Sequence, residues 1–225
     1  MIEFRGAGPA EFDERLDTVI DIYTAAMRPP AEQITGRRSI MRNHGMYPRF
    51  QCYFAELRGE PPGPVPVPWP ETGPGTGPSP GSDAGPDARP GMGRGARPAR
   101  RGAAKVVGFA YGFHGAPGQW WHDVVYRALE DRSGPRVADA WLGDAFELAE
   151  IHVHPDYQGK GIGRAMITTL CAGRAERSAV LSTHDRPTAA RHLYRSMGFT
   201  DLLSRFVFPG GHEEYAIAGR PLPLS

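Results

Sequence analysis

The 225-residue chain has only two cysteines, Cys52 and Cys171, too few for a disulfide framework. Each sits among apolar neighbours, which points to buried free thiols in a reducing compartment. Charge of one sign is missing too. The 26 basic and 25 acidic side chains leave a formal net charge of +1, so net charge calls for no nucleic acid or other polyanion. No stretch approaches the roughly 18 consecutive apolar residues of a membrane span. The opening MIEFRGAGPAEFDERLD has acids and a proline where a signal peptide has its apolar run. There is no internal repeat. The expectation is a soluble cytoplasmic protein with neither a nucleic-acid nor a membrane partner.

Proline and glycine are abundant but unevenly placed. They make up about half of residues 60–102, a composition that buries too little apolar surface to offset the entropy of ordering. This segment is predicted to be a disordered insert in a single domain spanning 1–225. Its end is basic: Arg89, Arg94, Arg97, Arg100, Arg101 and Lys105. That is a patch for an acidic partner or, more simply, a solvated loop end.

The flanks read as one interrupted α/β (α+β) domain. Ile2–Arg5 suits a strand, and Pro9 opens a helix whose face is Phe12, Leu16, Val19, Ile20 and Tyr23. Pro29 stops it, and a second helix is predicted over Ala31–Arg42. Phe50–Leu57 and Ala104–Phe113 read as strands that pair antiparallel across the insert. A helix over Gln119–Asp131 and a strand over Phe146–Val153 follow. Ile162, Met166 and Leu170, with Ile167 and Cys171, form one helix face. Ser178–Thr183 is a short strand. Pro187 suits the first turn of a helix carrying Ala190, Leu193, Tyr194 and Met197, closed by Gly198. Leu202–Phe208 and Glu213–Ala218 form a terminal hairpin.

Between the strand at 146–153 and the helix at 162 lies HPDYQGKGIGRAM, His154–Met166. Glycines between a strand and a helix let a ligand approach bare peptide N–H groups, and the helix adds its unpaired donors. A phosphate or pyrophosphate fits such a loop. A P-loop is excluded because Arg164, not Lys, follows Gly163. A dinucleotide fingerprint is excluded because the glycines alternate and Leu181 stands near the position of its acid.

The run Gln158-Gly159-Lys160-Gly161-Ile162-Gly163 resembles the Q/R-x-x-G-x-G/A pyrophosphate loop of the GCN5-related N-acetyltransferases (GNAT superfamily). EIHVHPDY before it resembles that family's fourth strand, and Ala190–Phe199 is similar to its A-x-x-L-Y-x-x-x-G-F helix ending. The resemblance covers roughly Phe146–Phe199. It implies a mixed, mostly antiparallel sheet of about seven strands flanked by helices, with a splayed parallel pair that takes acetyl-CoA. By the resemblance, the backbone of Ile151, His152 and Val153 pairs with the pantetheine arm and polarises the thioester carbonyl. Gln158, Gly159, Lys160, Gly161, Ile162 and Gly163 wrap the pyrophosphate, and Tyr194 protonates the departing thiolate. The family often has Asn at the start of the Tyr-bearing helix. Thr183–Thr188 contains none, so no residue there is assigned to the cofactor.

The acceptor amine must lose a proton, and Glu150, on the strand beside the reaction point, is the candidate base. Strict alternation puts Glu147 on the opposite face. His152 and His154 lie two apart, but no Cys or carboxylate cluster completes a zinc site, so no metal is expected. Between Gly115 and Ala145 lie Trp120, Trp121, Tyr126 and Trp141 with Asp123, Glu130, Asp131, Asp139 and Asp144. Aromatics and acids suit a cationic amine; the alternative is that the tryptophans simply pack the helix onto the sheet. The expected activity is direct transfer of acetyl from acetyl-CoA to a small-molecule amine or a protein lysine. The rival reading is a catalytically weak acyl-CoA-binding module whose basic linker recruits a partner. A homodimer is left open.

Overall fold

The computed structural model describes residues 1–58 and 104–224; the insert at 60–102 and most of its basic residues lie outside the described residues. In chain order the elements are β1 (Ile2–Ala7), α1 (Pro9–Glu14), α2 (Leu16–Met27), α3 (Ala31–His44), β2 (Gln51–Leu57), β3 (Lys105–Gly115), α4 (Trp120–Ser133), α5 (Pro135–Leu142), β4 (Ala145–Val153), α6 (Ile162–Cys171), β5 (Ser178–His184), α7 (Ala189–Ser196), β6 (Thr200–Val207) and β7 (Glu214–Pro221). The strands form one sheet in the order β1-β2-β3-β4-β5-β7-β6. Every neighbouring pair is antiparallel except β4 and β5.

The long apolar run of β3 makes it the inner strand of the first half, buried on both faces from Val107 to Phe113. On one face α1–α3 cover Phe54, Phe109, Tyr111 and Phe113. On the same face, α4 and α5 cover Val180, Leu203 and Ile217. The other face carries α6 and α7; Met166, Ile167 and Leu170 of α6 and Met197, just after α7, pack with Phe146, Leu148, Ala179 and Leu181. Burial of this apolar surface, at about 25 cal/mol per Å², is the main stabilising contribution.

The pattern of elements follows the sequence reading with local departures. The first predicted helix is two, broken at Arg15, whose guanidinium reaches Glu56 on β2 at 2.6 Å. That tie is long-range and invisible to periodicity. Helix α5 was not expected, although Pro135 at its first position was a usable start signal. Pro187 lies outside α7: Thr188 is the cap, its hydroxyl accepting from the Arg191 amide at 3.1 Å. Among the described residues, no helix is long and apolar enough to cross a membrane.

Candidate active site

The parallel pairing of β4 with β5 covers only Ala145, Phe146 and Glu147. Beyond Glu147 the two strands part, while β4 stays paired to β3 as far as Val153. The parting coincides with a β-bulge: Tyr111 faces Glu150 and Gly112 faces Leu148, so Ala149 is an extra residue on β4. Gly112 permits this. A Cβ there would lie 2.3 Å from the Glu147 carbonyl oxygen and 2.6 Å from the Phe146 ring. The bulge shifts the side-chain alternation by one. It turns Glu147 and Glu150 to the same side, against the expectation that they face apart. Both line one pocket of about 350 Å³ between α3 and α4. The sequence did carry a signal for this, since a glycine inside an apolar strand marks a bulge or a close backbone approach.

The two carboxyls differ. The Glu150 oxygens are both engaged: one is ion-paired with Arg37, and the other lies 2.5 Å from His152 Nε2. Burial opposes its charge, but the Arg37 guanidinium and the His152 hydrogen bond outweigh it and hold the carboxyl below its ordinary value. Arg37 is itself fixed over the Tyr23 ring at 5.2 Å. Glu147 is only 4% exposed, and its Oε2 has no hydrogen-bond partner among the described residues. Burial, and then the nearby Glu150 charge, push it up to about 8. His44 lines the same pocket, accepts from or donates to the Tyr111 hydroxyl at 3.0 Å, and is lowered to about 4 by burial.

A second cleft, about 430 Å³, opens where β4 and β5 diverge. Its walls include Ile151, His152 and Val153 from β4, Gln158, Gly159, Gly161, Ile162 and Gly163 from the loop, and Tyr194 from α7. Of the expected cofactor residues only Lys160 is not in the lining; its ammonium turns back to the Asp156 carbonyl and the Tyr157 ring. Ala26 and Met27 at the end of α2, Tyr157, Arg164, Ala189, Ala190 and Leu193 complete the wall and were not foreseen. The cleft contains Arg164 and no carboxylate among its described lining residues. Gly159 and Gly161 have φ of 74° and 77°, angles that L side chains rarely adopt, and Gly161 caps α6. Gly163 serves packing instead: a Cβ there would lie 3.3 Å from Leu193. The Gln158 amide donates to the Val153 carbonyl at 2.9 Å, closing the loop onto the strand end.

Tyr194 is positioned by α7, which is tied down through Arg191. That guanidinium makes two bonds to Asp201, at 2.9 and 2.8 Å, and one to Asp185 at 2.8 Å. The Tyr194 ring meets Phe199 edge-on at 5.9 Å. Burial raises its phenol, so it keeps its proton at neutral pH. The two clefts adjoin along β4, with Glu150 in one lining and Ile151 and His152 in the other.

Other expectations sort as follows. Trp120 and Trp121 line the Glu147 pocket, whereas Trp141 packs in the α4–α5 core. The expected acids lie elsewhere: Asp123 binds the Gly118 amide and His122, and Asp139 accepts from Tyr126 at 2.5 Å. His154 caps the turn after β4, accepting from the Asp156 amide, and is not paired with His152. Among the described residues, no group of three or more His, Cys, Asp or Glu is placed to hold a metal ion.

Against known proteins, the model of the acetyltransferase (GNAT) domain matches residues 103–201. A GCN5-like protein acetyltransferase of Mycobacterium tuberculosis, Rv2170, is 44% identical over 125 residues, 54% of this chain and 61% of that protein. This chain therefore aligns with less than two thirds of that relative's length. Among solved structures, Arabidopsis thaliana NAA60 in complex with a bisubstrate analogue superposes with a TM-score of 0.56 at 16% identity, covering 99% of this chain and 100% of that one. The yncA protein of Salmonella typhimurium with its cofactor acetyl-CoA gives 0.52 at 14% identity, covering 99% and 95%. At these identities the superpositions show the fold alone. Residues 103–201, which match the acetyltransferase (GNAT) domain model, hold both the splayed β4–β5 pair and the glycine loop.

Proposed function

We propose that this protein is an acetyl-CoA-dependent N-acetyltransferase that passes the acetyl group directly to an amine. The observation that carries the reading is the adjacency of the two clefts along β4. One is walled by the positive-φ glycine loop and Tyr194, the other by Glu147 and Glu150. The first suits acetyl-CoA: bare loop amides and the α6 N-terminus for the pyrophosphate, Arg164 for added positive charge, and the β4 edge of Ile151, His152 and Val153 for the pantetheine arm. The second suits the acceptor. Direct transfer is favoured because Cys52 and Cys171 line neither cleft and burial raises both thiols, Cys171 to about 12.

In this reading the amine nitrogen attacks the thioester carbonyl, and the C–S bond breaks as the N–C bond forms. Tyr194 gives its proton to the departing sulfur. The amine's proton goes to a β4 carboxylate. Glu150 is the base expected from the sequence, but its oxygens are taken up by Arg37 and His152. Glu147, with a free oxygen and a raised affinity for a proton, fits that step better, leaving Glu150 to fix Arg37 and His152. The M. tuberculosis relative is named a protein acetyltransferase, so protein amines are the first acceptors to try.

The test is to measure acetyl-CoA binding by calorimetry and thiol release with an amine library. Saturable binding and amine-dependent thiol release are expected. Gly161→Val, which forces a branched side chain onto a φ of 77°, should abolish the binding while the fold survives. Tight binding without thiol release for any amine would identify an acyl-CoA-binding module instead. Unchanged affinity in a folded Gly161→Val protein would remove the loop from the cofactor site.

A further inference from the structure

Two lysines meet on one ring at the edge of the glycine-loop cleft. Tyr157 belongs to the turn after β4 and lines that cleft beside Gln158 and Gly159. The Lys160 ammonium stands 5.0 Å from its ring centroid and the Lys105 ammonium 5.4 Å. Lys160 comes from the same loop. Lys105 is the first residue of β3, far earlier in the chain. It is brought there because the His154 amide donates to the Val107 carbonyl at 2.9 Å, which carries the β3–β4 contact past the end of β4.

Neither ammonium is paired with a carboxylate among the described residues. Lys160 donates to the Asp156 carbonyl at 3.2 Å, while the Asp156 carboxylate faces His154 at 3.6 Å. Arg164, in the lining of the same cleft, also lacks an acid: its guanidinium donates to the Ser196 hydroxyl at 2.6 Å. A π-face steadies an ammonium without neutralising it. Cations gathered without acids leave a positive field over the cleft mouth, and an anion entering it restores the balance.

The anion has to be more than a pyrophosphate, which the loop amides and the α6 N-terminus already suit. Acetyl-CoA carries one further phosphate, the monoester on the 3′ oxygen of its ribose. Phosphomonoesters hold about −1.5 to −2 charges at neutral pH. We propose that Lys105 and Lys160, held on Tyr157, receive this 3′-phosphate, and that Lys105 makes the protein selective for free coenzyme A thioesters. The proposal rests on the acetyl-CoA reading above and adds the donor class to it. Loop amides meet the same pyrophosphate in coenzyme A and in its 3′-dephospho form, so they cannot tell the two apart. A thioester on a protein-bound phosphopantetheine arm has no ribose phosphate and forfeits both lysine contacts. The selectivity therefore sits on two exposed side chains beside the loop.

The experiment is calorimetry on the full chain at pH 7.5 with acetyl-CoA and with acetyl-3′-dephospho-CoA. At low salt the wild type should bind acetyl-CoA at least about tenfold more tightly, the worth of charge-assisted contacts to a phosphate. In about 0.5 M NaCl the preference should shrink, because exposed charges are screened. Lys105→Ala should cut the preference at least about threefold by weakening acetyl-CoA alone, with affinity for the dephospho form unchanged. Lys105→Arg should restore it. Lys105→Ala combined with Lys160→Ala should abolish it. Equal binding of the two ligands by the wild type, or a full preference kept by Lys105→Ala, would overturn the proposal and leave the acetyl-CoA reading standing. So would a Lys105→Ala protein that loses both ligands in equal measure, since that marks a disturbed cleft and not a lost phosphate contact. If the wild type binds neither ligand, the acetyl-CoA reading falls and this proposal falls with it.

Discussion

Glu147→Gln is expected to make the protein more stable at high pH and nearly inactive. In the fold Glu147 is held up to about 8, against an ordinary value of 4.5. A carboxyl raised on folding contributes its full stability below the unfolded value and loses it as pH rises through the folded value. Between pH 5 and pH 8 the native protein keeps a proton that the unfolded chain gives up, so stability falls. Integrated over that window the loss is about 3 kcal/mol. Glutamine cannot ionise and escapes this loss. Its buried amide adds unmet donors at a cost of about 1–3 kcal/mol, but that cost does not vary with pH. The charged and titratable groups around the site, Glu150, Arg37, His44, His152 and Tyr111, are common to both proteins and cancel to first order. The stability difference, variant minus wild type, should therefore climb by about 3 kcal/mol from pH 5 to pH 8. Urea melts at four pH values read it as a growing gap in midpoint at constant slope. In the same protein turnover should drop by about 10²–10⁴, the worth of a general base. A difference that stays flat across this pH range would refute the claim that Glu147 is buried without a counter-ion. Near-normal turnover in the folded variant would return the role of base to Glu150.

Tyr194→Phe removes a hydroxyl and keeps the ring against Phe199. Acetyl-CoA affinity should stay near normal while thiol release at saturation falls at least about tenfold; unchanged turnover would make Tyr194 a packing residue only. We propose that the two flanks of the 60–102 insert form one domain without it. Replacing residues 61–100 with a short Gly/Ser turn should leave β2 and β3 paired and lower the closure cost by on the order of 1 kcal/mol. Circular dichroism and acetyl-CoA calorimetry on the trimmed protein check this, and unfolding or lost affinity would make the insert part of the fold.

Local chemistry determined much of this protein in advance. Periodicity placed all seven strands and most helices, because amphipathic spacing depends only on neighbours along the chain. The glycine loop was legible for the same reason: Gly159 and Gly161 are needed where the backbone itself turns to positive φ. Eight of the nine expected cofactor residues and Tyr194 come together in one cleft. Lys160 does not, because its long side chain finds the Asp156 carbonyl and the Tyr157 ring first.

The acceptor side was decided by tertiary structure. Whether Glu147 and Glu150 share a face depends on one extra residue in the pairing of β4 with β3, and alternation read along β4 alone cannot register it. The acids between residues 115 and 145 looked like the acceptor's partners, yet Asp123 and Asp139 bond within their own segment, to the Gly118 amide, His122 and the Tyr126 hydroxyl, and Asp144 pairs with Arg177. The acids that line the pocket belong to the sheet. Their different protonation follows from Arg37, contributed by α3, more than a hundred residues away in the chain. Sequence fixes which side chains can ionise; the fold decides which one is left buried without a partner, since that depends on the charges brought near it through space.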